Sequence, residues 1–355
     1  MERVSNNVQQ DLSRVRRIFI RSVNWVGDTV LTFPAVENLR RLFPQAALTV
    51  FAPRDLSDLW RAFPHVDEVV PFEKRGAVRS FHEERELART LRKRFDLAII
   101  FPRSFHSVLL PYMARIPVRI GFRDEGRSFL LTHGIPRTPD LQRVHRVLYY
   151  SKLIEFLGKV DEGIAPQIRL REEDRAWAEA FLKDQGFLDG RPLIGMNPGA
   201  TYGLAKCWPP DRFRELGERL AQRWKASILL FGKKEEGSTV QRILGSSGRW
   251  GADLTGKTTL VQLAALLGRC RLLVTNDTGT MHVAAATGTS VVALFGSTDP
   301  VTTGPWGNGH VVIRKEVSCA PCLKRVCPTD HRCMDLITVD DVDEAIRQHL
   351  RTFSP

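Results

Sequence analysis

The sequence predicts an α/β protein built from two doubly wound domains in series. Three observations carry that expectation. At 355 residues the chain is too long for one ordinary core and suits two domains of roughly 150 residues each. Its 43% hydrophobic and 26% charged residues are those of a globular protein, with only the polar start, Met1–Ser13, reading as a loose arm. Short apolar runs rich in β-branched residues alternate with helix-like stretches, the pattern of strands buried on both faces of a parallel sheet.

In the first half the strand candidates are Arg17–Val23, Ala47–Ala52, Val66–Val70 and Phe95–Phe101, with helix-like segments at Val36–Leu42 and Glu83–Arg94. An amphipathic stretch, Glu172–Gln185, and a turn at Asp189-Gly190 open the second series. There the strand candidates are Pro192–Met196, Ser227–Phe231, Leu272–Thr275 and Ser290–Phe295, and the helices Asp211–Trp224, Leu260–Leu267 and Thr280–Ala286. The boundary falls between about 160 and 190, and no tandem repeat is visible. Two such domains in series imply a crevice formed by the carboxyl ends of both sheets.

Charge points to the partner. Fifty-two Lys+Arg against 40 Asp+Glu leave +12, a surplus that favours a polyanion: an acidic membrane face, phosphorylated ligands or nucleic acid. Much of it lies early, in Arg14–Arg17, Leu91–Arg94 and Arg119–Arg127. No basic run is interleaved with aromatics, which argues against nucleic acid. Neither a secretory leader nor a run of roughly 20 apolar residues is apparent, so a cytoplasmic protein at most peripheral to a membrane is expected. In that compartment the six cysteines are not expected to form disulfides.

Three segments carry candidate chemistry. Val23-Asn24-Trp25-Val26-Gly27-Asp28 follows the first strand, where glycine allows backbone to approach a ligand and Asp28 would stand at the carboxyl edge. The alternative is that Asp28 caps the next helix. Met196–Pro209 follows the first strand of the second series and holds two glycines, Thr201 and Lys206, a loop able to meet a phosphate with amides and one point charge. It also reads as a plain loop. It is no P-loop, and no dinucleotide glycine fingerprint occurs. In Leu272–Ala286 a strand ends, a small-residue turn follows and an alanine-rich helix begins, so the amides around Thr278, Gly279 and Thr280 form an anion site beside Asp277. His282 reads either as a site residue or as a core histidine. A fourth segment, Cys319–Cys333, contains C-x2-C, a further Cys327 and His331, which reads as a structural metal site or as reduced thiols in a packed loop.

In order and spacing, Asn24–Asp28, Asn197–Ala200 with Lys206 and Trp208-Pro209, Thr275–His282, Phe295–Pro300 and Cys319–Cys333 resemble glycosyltransferase family 9, within it the heptosyltransferases that add a second heptose. The likeness spans roughly 17 to 345. It implies a GT-B fold, two Rossmann-like domains facing across a cleft: an acceptor-binding domain at 14–175, an ADP-heptose-binding domain at 190–335, and a final helix within 336–355 crossing back to the first. It implies ADP-heptose as donor, the heptosylated inner core of lipopolysaccharide as acceptor, inversion at the anomeric carbon, no cofactor or obligatory metal, and a place on the cytoplasmic face of the inner membrane. By the same resemblance Asp28 is the general base, with Asn24, Trp25 and Gly27 beside it in substrate binding. Lys206, Thr201, Thr278 and Gly279 are diphosphate contacts, Asp277 and His282 meet donor sugar and phosphate, and Lys257-Thr258 with Gly232–Glu235 hold the adenosine.

Two positions depart from the pattern. Cys207 stands where the family commonly has arginine, and Pro34 interrupts the first helix, tolerable if that helix becomes regular only near Thr32. The nearest rivals are addition of the first or a later heptose, which would alter acceptor loops such as Pro102–Ser107 and Gly121–Ser128. More distant are a sugar-nucleotide epimerase and a non-catalytic nucleotide-sugar binder.

Overall fold

The computed structural model describes residues 15–73, 77–187, 190–245 and 250–352, and their side chains outside 77–83 and 350–352. Met1–Ser13, Arg14 and Asp189 lie outside the described residues. The chain divides into two compact units, Met1–Pro166 and Gln167–Pro355.

The first unit is a sheet of six parallel strands: β1 (Arg17–Arg21), β2 (Ala47–Pro53), β3 (Glu68–Phe72), β4 (Leu97–Ile100), β5 (Val118–Arg123) and β6 (His133–Pro136). Their spatial order is β3-β2-β1-β4-β5-β6, so the winding reverses between β1 and β4. Helices α1 (Val26–Leu42), α2 (Ser57–Arg61), α3 (Ala77–Leu91), α4 (His106–Met113), α5 (Pro139–Arg143) and α6 (Arg146–Glu155) complete it. Phe19, Phe51 and Phe95 anchor one core cluster, Phe19 and Phe51 stacked at 4.4 Å. A second aromatic group joins Phe33 of α1 to Trp60 and Phe63.

The first helix corrects one expectation. It begins at Val26, not near Thr32, and runs through Pro34 to Leu42. Proline there removes an intrahelical N–H bond. Every residue from Thr29 to Val36 is buried, however, and α1 packs along α6, so tertiary packing offsets the lost bond. The apolar-run criterion also passed over the interior strand β5, the edge strand β6 and, in the second unit, the edge strands β9 (Gly251–Asp253) and β12 (Val311–Arg314). Arginine, histidine, aspartate or glycine breaks the apolar run in β5, β6 and β9, and an edge strand buries less of each side chain.

The second unit repeats the winding. Its strands are β7 (Leu193–Asn197), β8 (Ser227–Leu230), β9 (Gly251–Asp253), β10 (Leu272–Asn276), β11 (Ser290–Phe295) and β12 (Val311–Arg314), ordered β12-β11-β10-β7-β8-β9 and all parallel. Read by chain order within the unit, this is the same order as in the first sheet, and it reverses between β7 and β10. The helices are α7 (Glu172–Asp184), α8 (Pro210–Trp224), α9 (Gly237–Leu244), α10 (Leu260–Leu267), α11 (Gly279–Ala286), α12 (Pro300–Thr303), α13 (Arg332–Asp335) and α14 (Val339–Thr352). Within this unit α14 packs on α8, β11 and β12, burying Val339, Val342 and Ile346 at helical spacing. Fully buried Asp343 meets Arg223 at 2.7 Å, which offsets the cost of taking its charge out of water. Among the described residues no helix is long and apolar enough to cross a membrane.

Candidate functional site

In doubly wound sheets, ligands sit outside the carboxyl ends of the strands where the winding reverses. In the first unit that place is the turn from β1 into α1. Asn24 and Trp25 are exposed there, Trp25 by 59%, and Gly27 and Asp28 lie half-buried in the first helical turn. Trp25 is the N-cap and makes no side-chain capping bond. The partner seen for Asp28 comes from far along the chain: Tyr150 Oη, on α6, donates to Asp28 Oδ1 at 2.9 Å. Burial, and then the adjacent Asp28 charge, push the Tyr150 phenol well above its usual value, so it stays a donor at neutral pH. The positive helix terminus favours the ionised carboxylate in the same turn. An oriented carboxylate of this kind can accept a proton.

The loops after β4 and β5 flank this position, and one side chain joins them. Arg127 is fully buried. It donates through Nε to the Phe122 carbonyl (3.1 Å), and through Nη1 to the Ser104 carbonyl (3.1 Å) and Ser107 Oγ (2.7 Å). Burial lowers its pKa to about 10, so it remains a cation at neutral pH. The same loops expose Phe105 and Phe129, which with Trp25 offer aromatic faces along the carboxyl edge.

In the second unit the reversal lies between β7 and β10, and the two predicted loops meet there. Lys206 Nζ reaches Asp277 Oδ2 at 2.6 Å, with the two side chains only 13% and 6% exposed. Thr298 Oγ1 donates to the same oxygen at 2.7 Å. Asn276 joins the loops: its Nδ2 donates to the Pro198 carbonyl (2.7 Å), and its Oδ1 accepts from the Trp208 amide (3.0 Å). Asn197 Nδ2 donates to Thr280 Oγ1 at 2.6 Å. The ammonium is therefore fixed at the start of α11, whose N-cap Thr278 is extended and makes no side-chain cap. Helix-start amides and a buried lysine beside them form an anion-binding arrangement. Gly279 opens the helix, Thr278 is half-buried, His282 is buried one turn on, and Thr201 is exposed on the lysine loop.

The segments assigned to adenosine also lie together, at the ends of β8 and β9. The Gly256 amide donates to the Gly232 carbonyl at 2.9 Å, and Lys257 Nζ to the Asp253 carbonyl at 2.7 Å. Thr258 follows in the turn before α10, whose N-cap is Thr259. Sequence reasoning stopped one residue short of Glu236. That carboxylate accepts from the Lys233 amide at 2.7 Å and lies so near Gly199 that a Cβ there would come within 1.9 Å of Oε1. A side chain at position 199 would have to push the Glu236 carboxylate aside. Tyr150 and Thr298 were also missed. Nothing local marks Tyr150, while Thr298 lies in a segment the resemblance had included only as a block.

The cysteine segment packs against the lysine loop. The Ala205 amide donates to the Arg325 carbonyl (3.1 Å), Tyr202 Oη to the Leu323 carbonyl (3.0 Å), and His331 Nε2 lies 3.2 Å from the Ala205 carbonyl. The Tyr202 ring faces both Lys206 and Arg325, each at 5.2 Å from its centroid. Cys319, Cys322, Cys327 and Cys333 are free thiols. Among the described residues no three His, Cys, Asp or Glu side chains are grouped to hold a metal ion. Burial pushes Cys207, beside Lys206, up to about 11, so it is a thiol and no nucleophile at neutral pH.

This geometry can be set beside known proteins. Residues 84–332 match the sequence profile of glycosyltransferase family 9 (heptosyltransferase). The chain is 33% identical over 309 residues to lipopolysaccharide heptosyltransferase 2 of Salmonella typhimurium, covering 84% of this chain and 88% of that one. The solved structure of Escherichia coli ADP-heptose lps heptosyltransferase II matches with a TM-score of 0.80 and 30% identity, over 95% of this chain and all of that one. A family 9 glycosyltransferase from Veillonella parvula matches with a TM-score of 0.84 and 26% identity, over 95% and 97%. With these likenesses extending over nearly the whole chain, the α/β architecture is that of the GT-B heptosyltransferases. The chain belongs to glycosyltransferase family 9.

Proposed function

We propose that this enzyme moves L-glycero-D-manno-heptose from ADP-heptose to the heptosylated inner core of lipopolysaccharide, adding the second heptose with inversion. The names of the similar proteins support the substrate pair. The observation that carries the chemistry is the buried Lys206–Asp277 pair at the start of α11.

Asp28 takes the proton from an acceptor hydroxyl as that oxygen bonds to the anomeric carbon. The bond from that carbon to the diphosphate oxygen breaks, and ADP leaves with the electron pair. Lys206, positioned by Asp277 and Thr298, and the amides at Thr278 and Gly279 meet the charge developing on the diphosphate. Thr201 adds a hydroxyl there, and His282 and Asp277 face the donor. Glu236, with Gly232–Glu235 and Lys257-Thr258, receives the adenosine, its carboxylate suited to ribose hydroxyls. Asn24, Trp25 and Gly27 shape the acceptor side. No cofactor enters this reading, because lysine and helix terminus supply the positive charge. The enzyme works at the cytoplasmic face of the inner membrane, held peripherally by its basic first unit.

Asp28→Asn tests the assignment. General-base help is worth about 10²–10⁴-fold, so turnover should fall by that much while ADP binding by calorimetry stays within about twofold. Near-normal turnover would remove Asp28 from its role. Assays on acceptors bearing zero, one or two heptoses test the position, and transfer confined to the one-heptose core is expected.

A further inference from the structure

Away from Asp28 and Lys206 the first unit contains a cleft of ≈ 510 Å³ lined by Arg85, Arg89, Arg92, Arg115 and Arg119 together with Tyr112. Arg85 and Arg89 stand on α3 and Arg92 just after it; Arg115 follows α4 and Arg119 lies near the start of β5. Helix α3 leads into the start of β4 and α4 into the start of β5, so the cleft is at the amino edge of the sheet, opposite the edge that holds Asp28. Among the described residues, none of the five guanidiniums is paired with a carboxylate. Arg119 is the most enclosed, donating through Nε to the Leu130 carbonyl at 2.8 Å with its guanidinium 5.5 Å from the Tyr112 ring centroid. Arg115 holds a φ of 56°, where a bulky side chain is disfavoured.

Cations at the carboxyl ends of helices are favourable, and this accounts for Arg89, Arg92 and Arg115. It does not account for Arg85, further inside α3, or Arg119, on a strand. Five like charges around one cleft repel one another, and a dianionic phosphate reverses that balance while matching the planar guanidinium forks.

We propose that this cleft is a second anion site, which takes a phosphate-bearing group from a lipid headgroup or from a soluble phosphoanion. Its lipid source rests on the peripheral membrane reading above; its soluble source does not.

The test uses full-length protein with ADP saturating, so that the nucleotide site is filled. Wild type is compared with Arg89→Gln/Arg115→Gln and with a control pair of equal charge change, Arg61→Gln/Arg175→Gln. Thermal melting is followed against inorganic pyrophosphate, and cosedimentation against vesicles of phosphatidylcholine with or without phosphatidylglycerol. The four positions are exposed, so melting without ligand is expected to be nearly unchanged. If the source is soluble, pyrophosphate raises the wild-type and control Tm by about 2 °C beyond ADP, and the cleft variant loses that increment but keeps its ADP shift. If the source is a headgroup, wild type and control sediment with phosphatidylglycerol vesicles and the cleft variant binds roughly tenfold more weakly. Equal behaviour of the cleft and control variants in both arms overturns the inference. Failure of ADP itself to raise the wild-type Tm would count against the donor reading, and the two arms would still judge the cleft.

Discussion

At the scale of single residues, Tyr150 has the least obvious role. It approaches Asp28 from another helix and donates to the carboxylate the proposed reaction uses as a base. A hydrogen bond to the ionised form of an acid favours that form. Tyr150→Phe keeps the ring and removes the donor. Turnover is expected to fall about tenfold, near 1.4 kcal/mol of transition-state stabilisation, with ADP affinity unchanged. The acid limb of the pH–rate profile should also move to higher pH, a change that loosened packing would not produce. Asp28 was visible in sequence as a candidate, because glycine and aspartate follow a strand directly, although helix capping was the stronger reading there and the role as base was implied only by the resemblance. Tyr150 was not, because its importance exists only once α6 lies along α1.

At the scale of elements, the loops after β4 and β5 are held by a buried cation in place of regular structure. Arg127 spans them with three hydrogen bonds from a fully buried side chain. Arg127→Ala would leave the Ser104 and Phe122 carbonyls without that donor and open a cavity, which costs about 2–4 kcal/mol. Urea unfolding should show that loss, and acceptor KM should rise more than ADP affinity falls. Arg127→Lys, which keeps the charge but not the fork, should recover only part of it. In sequence Arg127 was one more charge in the basic run Arg119–Arg127, which gives no sign of which arginines point inward. Pro34 makes the converse point: local chemistry placed the helix start too late, because burial on every side outweighed one lost backbone bond.

At the scale of the whole molecule, burial sets an alkaline limit. Cys207 and Cys270 are held up to about 11 and about 12 from an ordinary 9.0, and Tyr150 well above 10.0, each chiefly by burial. Each folded-state pKa lies above the unfolded one, so the folded protein keeps these protons longer. The stability they contribute is whole below about pH 9 and is lost as pH rises through about 9 to 12. The Tm should therefore fall across that range, and Cys270→Ala, which removes one such group, should lose less of it. A variant with the same slope as wild type would show that the thiol carries none of the effect. Two sheets wound in the same order, without a visible sequence repeat, are a further property at this scale. The winding follows from the alternation of strand and helix and the right-handed crossover, neither of which requires the halves to share residues. The sequence alone determined the α/β class and marked the strand-end loops that carry the candidates Asp28, Lys206 and Asp277, because periodicity and glycine-bearing turns act over a few residues. Only the tertiary structure decided that Thr298 and Asn276 hold the lysine loop, that Glu236 fills the space beside Gly199, and that five arginines share one cleft. Those are contacts between elements far apart in the chain, and no local pattern encodes them.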